Sequence, residues 1–277
     1  MSGLQFKLDM DFEFGTTIAR DTRITDGSLI LLEPARESLT GIPTALYNFA
    51  EPEAQKTVGN IATIAVQNTI GLAPGGRVER TAKGGIHGIY PPVQASAPSS
   101  RACFSARLPL ALENYVLANQ DHSFYLSLIG RVTRDTVSSG AAQLAGLFAN
   151  PSGGSEQYVS VSQSASAKTI AGLSSGDKLI NRMSGVSSSD IFLCDVAQSG
   201  LALVSNPTQD SGRRDLFTIG GLSAALYQGQ PSWIFYTLYI EDLTVSGQTY
   251  AQAHAKSEEV YNTRKNTFYA NDTFTAT

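Results

Sequence analysis

The chain has 277 residues and a formal net charge of -4 at pH 7, with 24 acidic side chains against 20 basic ones. That acidic balance argues against nucleic acid as the main partner, because neutralising phosphates with Lys and Arg supplies most of such affinity. Only 16% of residues are charged, and 25 Gly and 11 Pro punctuate the chain, which suits short strands joined by many turns better than a helical bundle.

Residues 1–27 read as an N-terminal arm preceding one β-sandwich domain over 28–277. In the arm, Leu4, Phe6 and Leu8, then Phe12 and Phe14, alternate with polar neighbours, as a strand does when one side faces a partner. These five residues are the candidate assembly interface, docking on their own domain or on another subunit. The segment 1–14 lacks the basic start and apolar run of a secretory signal, so synthesis in a cytoplasm is expected. No apolar run approaches the roughly 18 residues of a membrane-spanning helix, so no membrane insertion is expected.

A short strand, SLILL, follows at 28–32 and is stopped by Glu33-Pro34. From 36 to 90 the signal is weak. Residues 60–66 fit a strand or a short helix, and 71–88 is glycine-rich with Arg77, Arg80 and Lys83 interleaved. Lacking GxxxxGK[ST] and GxGxxG, that basic stretch reads as a solvated loop. The run PPVQASAPSS over 91–100 reads as an internal connector.

Beyond it strand signals are dense. Residues 101–108 precede a helical turn over 110–117, and 122–134 alternates cleanly, with Phe124, Leu126, Leu128 and Val132 on one face and Ser123, Tyr125, Ser127, Arg131 and Thr133 on the other. Further strands are predicted over 157–163, 177–183, 190–196, 201–205 and 215–220, separated by Gly and Ser turns. Cys103 and Cys194 each fall inside a strand and read as buried small hydrophobes.

The most informative stretch is 231–261. Aromatic and β-branched residues over 233–243 predict a long strand, apolar on both faces and therefore central. Strict alternation would put Trp233, Phe235, Thr237, Tyr239 and Glu241 on one face and Ile234, Tyr236, Leu238, Ile240 and Asp242 on the other. After the turn 244–247, Tyr250, Ala253, His254, Ser257, Val260 and Tyr261 recur at helical spacing and predict a short covering helix. The fold class is all-β, a two-sheet jelly-roll sandwich with a short C-terminal helix and the N-terminal arm.

Chemical motifs are sparse. Residues 172–176 fit GxSxG, and Ser174 followed by Asp190, Asp195 or Asp242 and then His254 preserves the hydrolase order. A nucleophile elbow needs a buried strand running into a helix, which 168–178 does not resemble. His87, His122 and His254 show no HxH or HxxxH spacing, so surface or capping roles are expected rather than a metal site. Glu241 and Asp242 are adjacent, so on a strand they point to opposite faces and cannot serve together as a glycosidase pair. Tyr90, Tyr158 and Tyr227, near loops, are the aromatics best placed to stack on a sugar, with plain packing the first reading of each.

The C-terminal arrangement resembles the end of a laminin G-like, concanavalin A-like jelly roll: a closing strand (Leu238-Tyr239-Ile240) leads through Leu243 to a segment ending Ser257-Glu258-Glu259-Val260-Tyr261. This sequence departs from that pattern in a longer insertion between Leu243 and Ser257. The YIEDLTVSGQTY end, the GGIHG segment and the strand at 122–134 also resemble virion proteins of tailed bacteriophages. That resemblance implies a non-enzymatic structural protein of the virion, as a capsid decoration, head fibre, tail or baseplate part. It implies a homo-oligomer, with a trimer the expected stoichiometry, contact with other virion proteins through the arm, and contact with host surface glycans. A carbohydrate-binding lectin-like module is the alternative, with a glycan-acting hydrolase behind it. No cofactor is expected; a structural calcium is left open, since no position matches the family's calcium ligands.

Overall fold

The computed structural model describes residues 21–37, 41–90, 102–137, 142–149, 157–164, 166–174, 179–184, 191–199, 215–221 and 229–276. The arm residues Leu4, Phe6, Leu8, Phe12 and Phe14, the connector 91–100 and the predicted strand 201–205 lie outside them.

The elements begin with β1 (Ser28–Leu32), β2 (Ala45–Tyr47), α1 (Glu51–Thr57), β3 (Thr63–Asn68), β4 (Arg77–Arg80) and β5 (Ile86–Ile89). The middle of the chain supplies β6 (Ala102–Arg107), α2 (Leu110–Ala118), β7 (Ser123–Arg134), β8 (Ala142–Ala149), β9 (Gln157–Gln163) and β10 (Ile170–Ser174). Then come β11 (Leu179–Ser184), β12 (Ile191–Ser199), β13 (Asp215–Gly221), β14 (Ser232–Asp242), α3 (Leu243–Ser246) and α4 (Tyr250–Arg264), the last running into a π-helical turn, Lys265–Tyr269.

The strands form two antiparallel sheets packed as a sandwich, as predicted. One has the order β11-β12-β7-β14-β5-β4, with β1 joining β14 on the edge it shares with β5; the other runs β10-β9-β8-β13-β6-β3-β2. The core between them joins Trp233, Phe235, Leu238 and Ile240 of β14 to Phe217 of β13 and Phe104 of β6. Phe217 and Phe235 stack across the sheets with centroids 4.0 Å apart, and Trp233 meets both edge-on. The Trp233 indole donates to the Thr218 carbonyl at 3.2 Å, so its one polar atom is satisfied.

Every residue of β14 is buried, as its two apolar faces require, but the strict alternation fails. The pairing with β7 shifts register between Phe235 and Thr237. A bulge there adds one residue and turns the rest of the strand over. Leu238 and Ile240 therefore share the inter-sheet core with Trp233 and Phe235, while Tyr239 joins Tyr125, Leu243 and Ala253 on the outer face.

That outer face is covered by α4 and the π-helical turn. Tyr261 and Tyr269 pack on Ile129, Leu193, Ile234 and Tyr236. The second face of β7 is consequently buried too, where a half-buried strand was expected: Tyr125 and Ser127 are closed off by the helix. The helix begins as its sequence dictates, with Thr249 and Gln252 in a reciprocal capping box, an arrangement whose loss typically costs about 1 kcal/mol.

The glycine-rich stretch read as a solvated loop is the hairpin of β4 and β5, and β5 is entirely buried. Gly88 marks close approach of the sheets. A Cβ there would lie 1.9 Å from Cγ2 of Ile219 on β13 in the other sheet, so only glycine fits.

Candidate functional site

The C-terminal end of β14 delivers Glu241 and Asp242 to opposite faces of the first sheet, and β12 places Asp195 on the face that α4 covers. All three carboxylates are fully buried. Burying an ionised carboxylate is costly unless hydrogen bonds replace its water; Asp195 and Asp242 are bonded on both oxygens, whereas Glu241 is bonded through Oε1 and its Oε2 has no hydrogen-bond partner among the described residues. Asp242 Oδ2 lies 2.7 Å from the Tyr115 hydroxyl of α2 and 2.6 Å from His122 Nδ1, and its Oδ1 caps α3 by accepting from the Thr244 and Val245 amides. Asp195 lies 2.7 Å from the hydroxyls of Tyr125 and Tyr250 and 2.6 Å from His254 Nδ1. Glu241 Oε1 accepts from Thr25 Oγ1 at 2.7 Å and Gln248 Nε2 at 2.5 Å. Burial, then the neighbouring Asp195, pushes the Tyr125 phenol well above its ordinary range, and burial with Asp242 does the same to Tyr115. Both tyrosines stay donors.

Over these carboxylates, between the ends of β7 and β12 and the turn joining α3 to α4, lies a cleft of about 260 Å³. Ala197 and Leu243 give it apolar surface, Ser123, Thr244 and Thr249 hydroxyls, Gln198 and Gln248 amides, and Tyr250 an aromatic ring. No lining side chain is charged. Each buried carboxylate is nonetheless bonded by a lining residue: Asp195 by the Tyr250 hydroxyl, Asp242 by the Thr244 amide and Glu241 by Gln248.

Two further clusters flank the first sheet. In one, Glu79 Oε1, His87 and Thr133 form a carboxylate, imidazole and hydroxyl chain, with 2.9 Å to each ring nitrogen. A C-terminal strap closes over it: the Thr275 amide and hydroxyl donate to Glu79, and Phe274 lies edge-on to the imidazole with the Arg131 guanidinium over its own ring. Burial holds His87 below its ordinary pKa against the opposing pull of Glu79.

The other cluster ties residues 21–23, ahead of β1, to the residues that follow β1 and to the end of α4. Arg23, fully buried, makes a two-pronged bond to Asp21, at 2.9 Å from both Nε and a terminal nitrogen. Arg36 pairs with both Asp21 and Glu33, Arg264 at the end of α4 pairs with Glu33, and the Tyr239 hydroxyl donates to the Arg23 carbonyl. Burial alone would raise the Asp21 pKa, but hydrogen bonds and charge from Arg23 outweigh it and hold the carboxyl well below the usual range.

The three histidines, expected at the surface or as caps, are each bonded to a carboxylate; His87 is fully buried and His254 is only 7% exposed. Asp195 and His254 of the hydrolase-order reading do meet, but Ser174 ends β10 in the other sheet, and His254 Nε2 faces Glu258 at 3.8 Å. Glu241 and Asp242 diverge as expected, and Cys103 and Cys194 are both buried and neither forms a disulfide. Tyr90 is buried rather than loop-exposed; Tyr227 and the side chain of Tyr158 lie outside the described residues. Among the described residues no group of three or more His, Cys, Asp or Glu is placed to hold a metal ion, and no helix is long and apolar enough to cross a membrane. The cleft residues escaped sequence reading because neutral Gln, Thr and Ser carry no spacing signal. Asp195 carried one: a carboxylate inside the apolar run IFLCDVA demands a buried partner.

No protein-family model matches the chain, and no curated protein matches it.

Proposed function

We propose that this chain is a non-enzymatic structural component of a tailed-bacteriophage virion, serving as a capsid decoration, head fibre, tail or baseplate protein. In this reading it assembles as a homo-oligomer, a trimer, with Leu4, Phe6, Leu8, Phe12 and Phe14 of the arm docking on a sister chain or another virion protein. The virion assignment rests on the resemblance of the C-terminal strand and of the 84–88 and 122–134 segments. The observation that supports assembly through the arm is the clamp at its root. Asp21 is paired with Arg23 and Arg36, Arg23 with Glu33, and Glu33 in turn with Arg264, and Tyr239 of the central strand holds the same turn. Removing one partner from a buried ion pair costs roughly 3–5 kcal/mol, so a load on the arm is passed to the core of the sandwich. Size-exclusion chromatography with light scattering tests the reading. A trimer mass is expected for the full chain, and a strict monomer across the micromolar range overturns it.

A second reading, a carbohydrate-binding lectin-like module, is favoured by the cleft, whose hydroxyls, amides and aromatic ring match the hydroxyls and C–H faces of sugars. A glycan array probed with and without calcium tests it, and silence under both conditions counts against it.

A further inference from the structure

The cleft's geometry narrows what it could hold, given the carbohydrate reading on which the following inference rests. We propose that the cleft between Ala197, Gln198, Leu243, Gln248 and Tyr250 is a binding site for a single uncharged sugar ring. Size sets the first limit. Pockets that enclose drug-sized ligands run from about 300 to 1,000 Å³, and this one, at about 260 Å³, accommodates one ring of a glycan rather than an oligosaccharide.

Charge sets the second limit. No Lys, Arg or His lines the cleft, while Asp195, Glu241 and Asp242 stand immediately behind its wall. A carboxylated or sulfated sugar would find no cation in the lining to pair with and would lie against a wall backed by carboxylates, of which Asp195 and Asp242 are already bonded to His254 and His122. A hard cation would find none of those carboxylates in the lining, and such ions take six or more oxygen ligands at about 2.3–2.6 Å. A neutral ligand remains.

Polarity sets the third. Part of the lining's donor capacity is committed inward: the Tyr250 hydroxyl donates to Asp195 and Gln248 Nε2 gives one of its two hydrogens to Glu241. The Thr249 hydroxyl donates to Gln252 Oε1 in the capping box. A tyrosine hydroxyl has one hydrogen, so once it is given to Asp195 its oxygen can act toward a ligand only as an acceptor. The cleft therefore favours a ligand rich in donors with an apolar face for Tyr250, Ala197 and Leu243, and a pyranose supplies both.

Saturation-transfer difference NMR on the full chain tests the site, using glucose, galactose, mannose and N-acetylglucosamine as neutral probes, glucuronate and N-acetylneuraminate as charged ones, and calcium chloride as competitor. At least one neutral sugar should saturate the protein at millimolar concentration. Ala197→Leu, which fills the cleft, should weaken that binding at least about tenfold, equivalent to roughly 1.4 kcal/mol. Thr244→Arg, at an exposed position on the cleft, should do the same and keeps the test valid if the first variant fails to fold. No saturation by any neutral sugar, preference for a charged one, or displacement by calcium overturns the proposal. A positive glycan array with binding unchanged in both variants removes this site alone, whereas a silent array removes the carbohydrate reading with it.

Discussion

Asp195→Ala removes the acceptor that ties α4 to the first sheet. In the native fold His254 Nδ1, Tyr250 and Tyr125 all converge on this carboxylate, which is fully buried. Tyr125 keeps Ser257 as a partner at 2.9 Å, and Tyr250, partly exposed, can turn to water. His254, almost wholly buried, is left without its acceptor, and Tyr125 loses one of two partners. An orphaned buried donor costs about 1–3 kcal/mol, and breaking a buried carboxylate pair about 3–5 kcal/mol, so the expected loss is about 3–4 kcal/mol. For a chain of this size each kcal/mol shifts Tm by about 2–4 °C, giving a fall of roughly 6–16 °C. Thermal unfolding followed by circular dichroism, at matched protein concentration because assembly itself shifts Tm, measures the loss. Amide exchange over 250–264 should show the helix losing protection before the strands. A loss below about 1 kcal/mol, or uniform loss of protection, would refute the idea that Asp195 is the tie.

Three further outcomes are expected. Gly88→Ala drives a Cβ into Ile219 and should cost at least about 1–3 kcal/mol; the pair Gly88→Ala with Ile219→Ala, measured as a double-mutant cycle in urea, should show positive coupling between the sheets, and strict additivity would deny the close approach. Since burial depresses the His87 pKa in the fold, the unfolded chain takes up its proton first as pH falls. Stability should be level from pH 8 to 7 and decline once pH drops below about 6.5. A second decline should follow below about pH 4, where Asp21 and Glu79, both held low by their partners, become protonated in the unfolded chain. Urea titrations across that range check both steps; His87→Gln should abolish the first and, because His87 also helps hold Glu79 low, reduce the Glu79 share of the second while leaving that of Asp21. Burial raises the Cys194 thiol, with nearby Asp195 adding to it, so neither cysteine should react with a thiol reagent in the native protein and both should react in denaturant.

Most of the architecture was legible, because the residues that determine it act locally. The aromatic and β-branched run of β14 predicts a central strand, and the helical spacing of Tyr250, Ala253, His254, Ser257 and Tyr261 predicts the helix that follows. The bulge after Phe235 was not legible: no Gly or Pro marks it, and it is set by pairing with β7 more than 100 residues earlier. β5 was hidden by its glycines, which read as loop residues until Gly88 is seen facing Ile219 across the two sheets. The histidines misled for a related reason. Asp195 and His254 are 59 residues apart and His122 and Asp242 are 120 apart, so their pairing follows from topology alone. The cleft is assembled from β7, β12 and the α3–α4 turn by the same long-range pairing, which no motif announces.

The most direct test of assembly through the arm compares molar masses, by light scattering, of the full chain and of a variant with Leu4, Phe6, Leu8, Phe12 and Phe14 all changed to Ser. A trimer mass for the native chain and a monomer mass for the variant, with Tm above that of a chain lacking the Arg23 clamp, is the predicted result. Identical masses for the two proteins would contradict it.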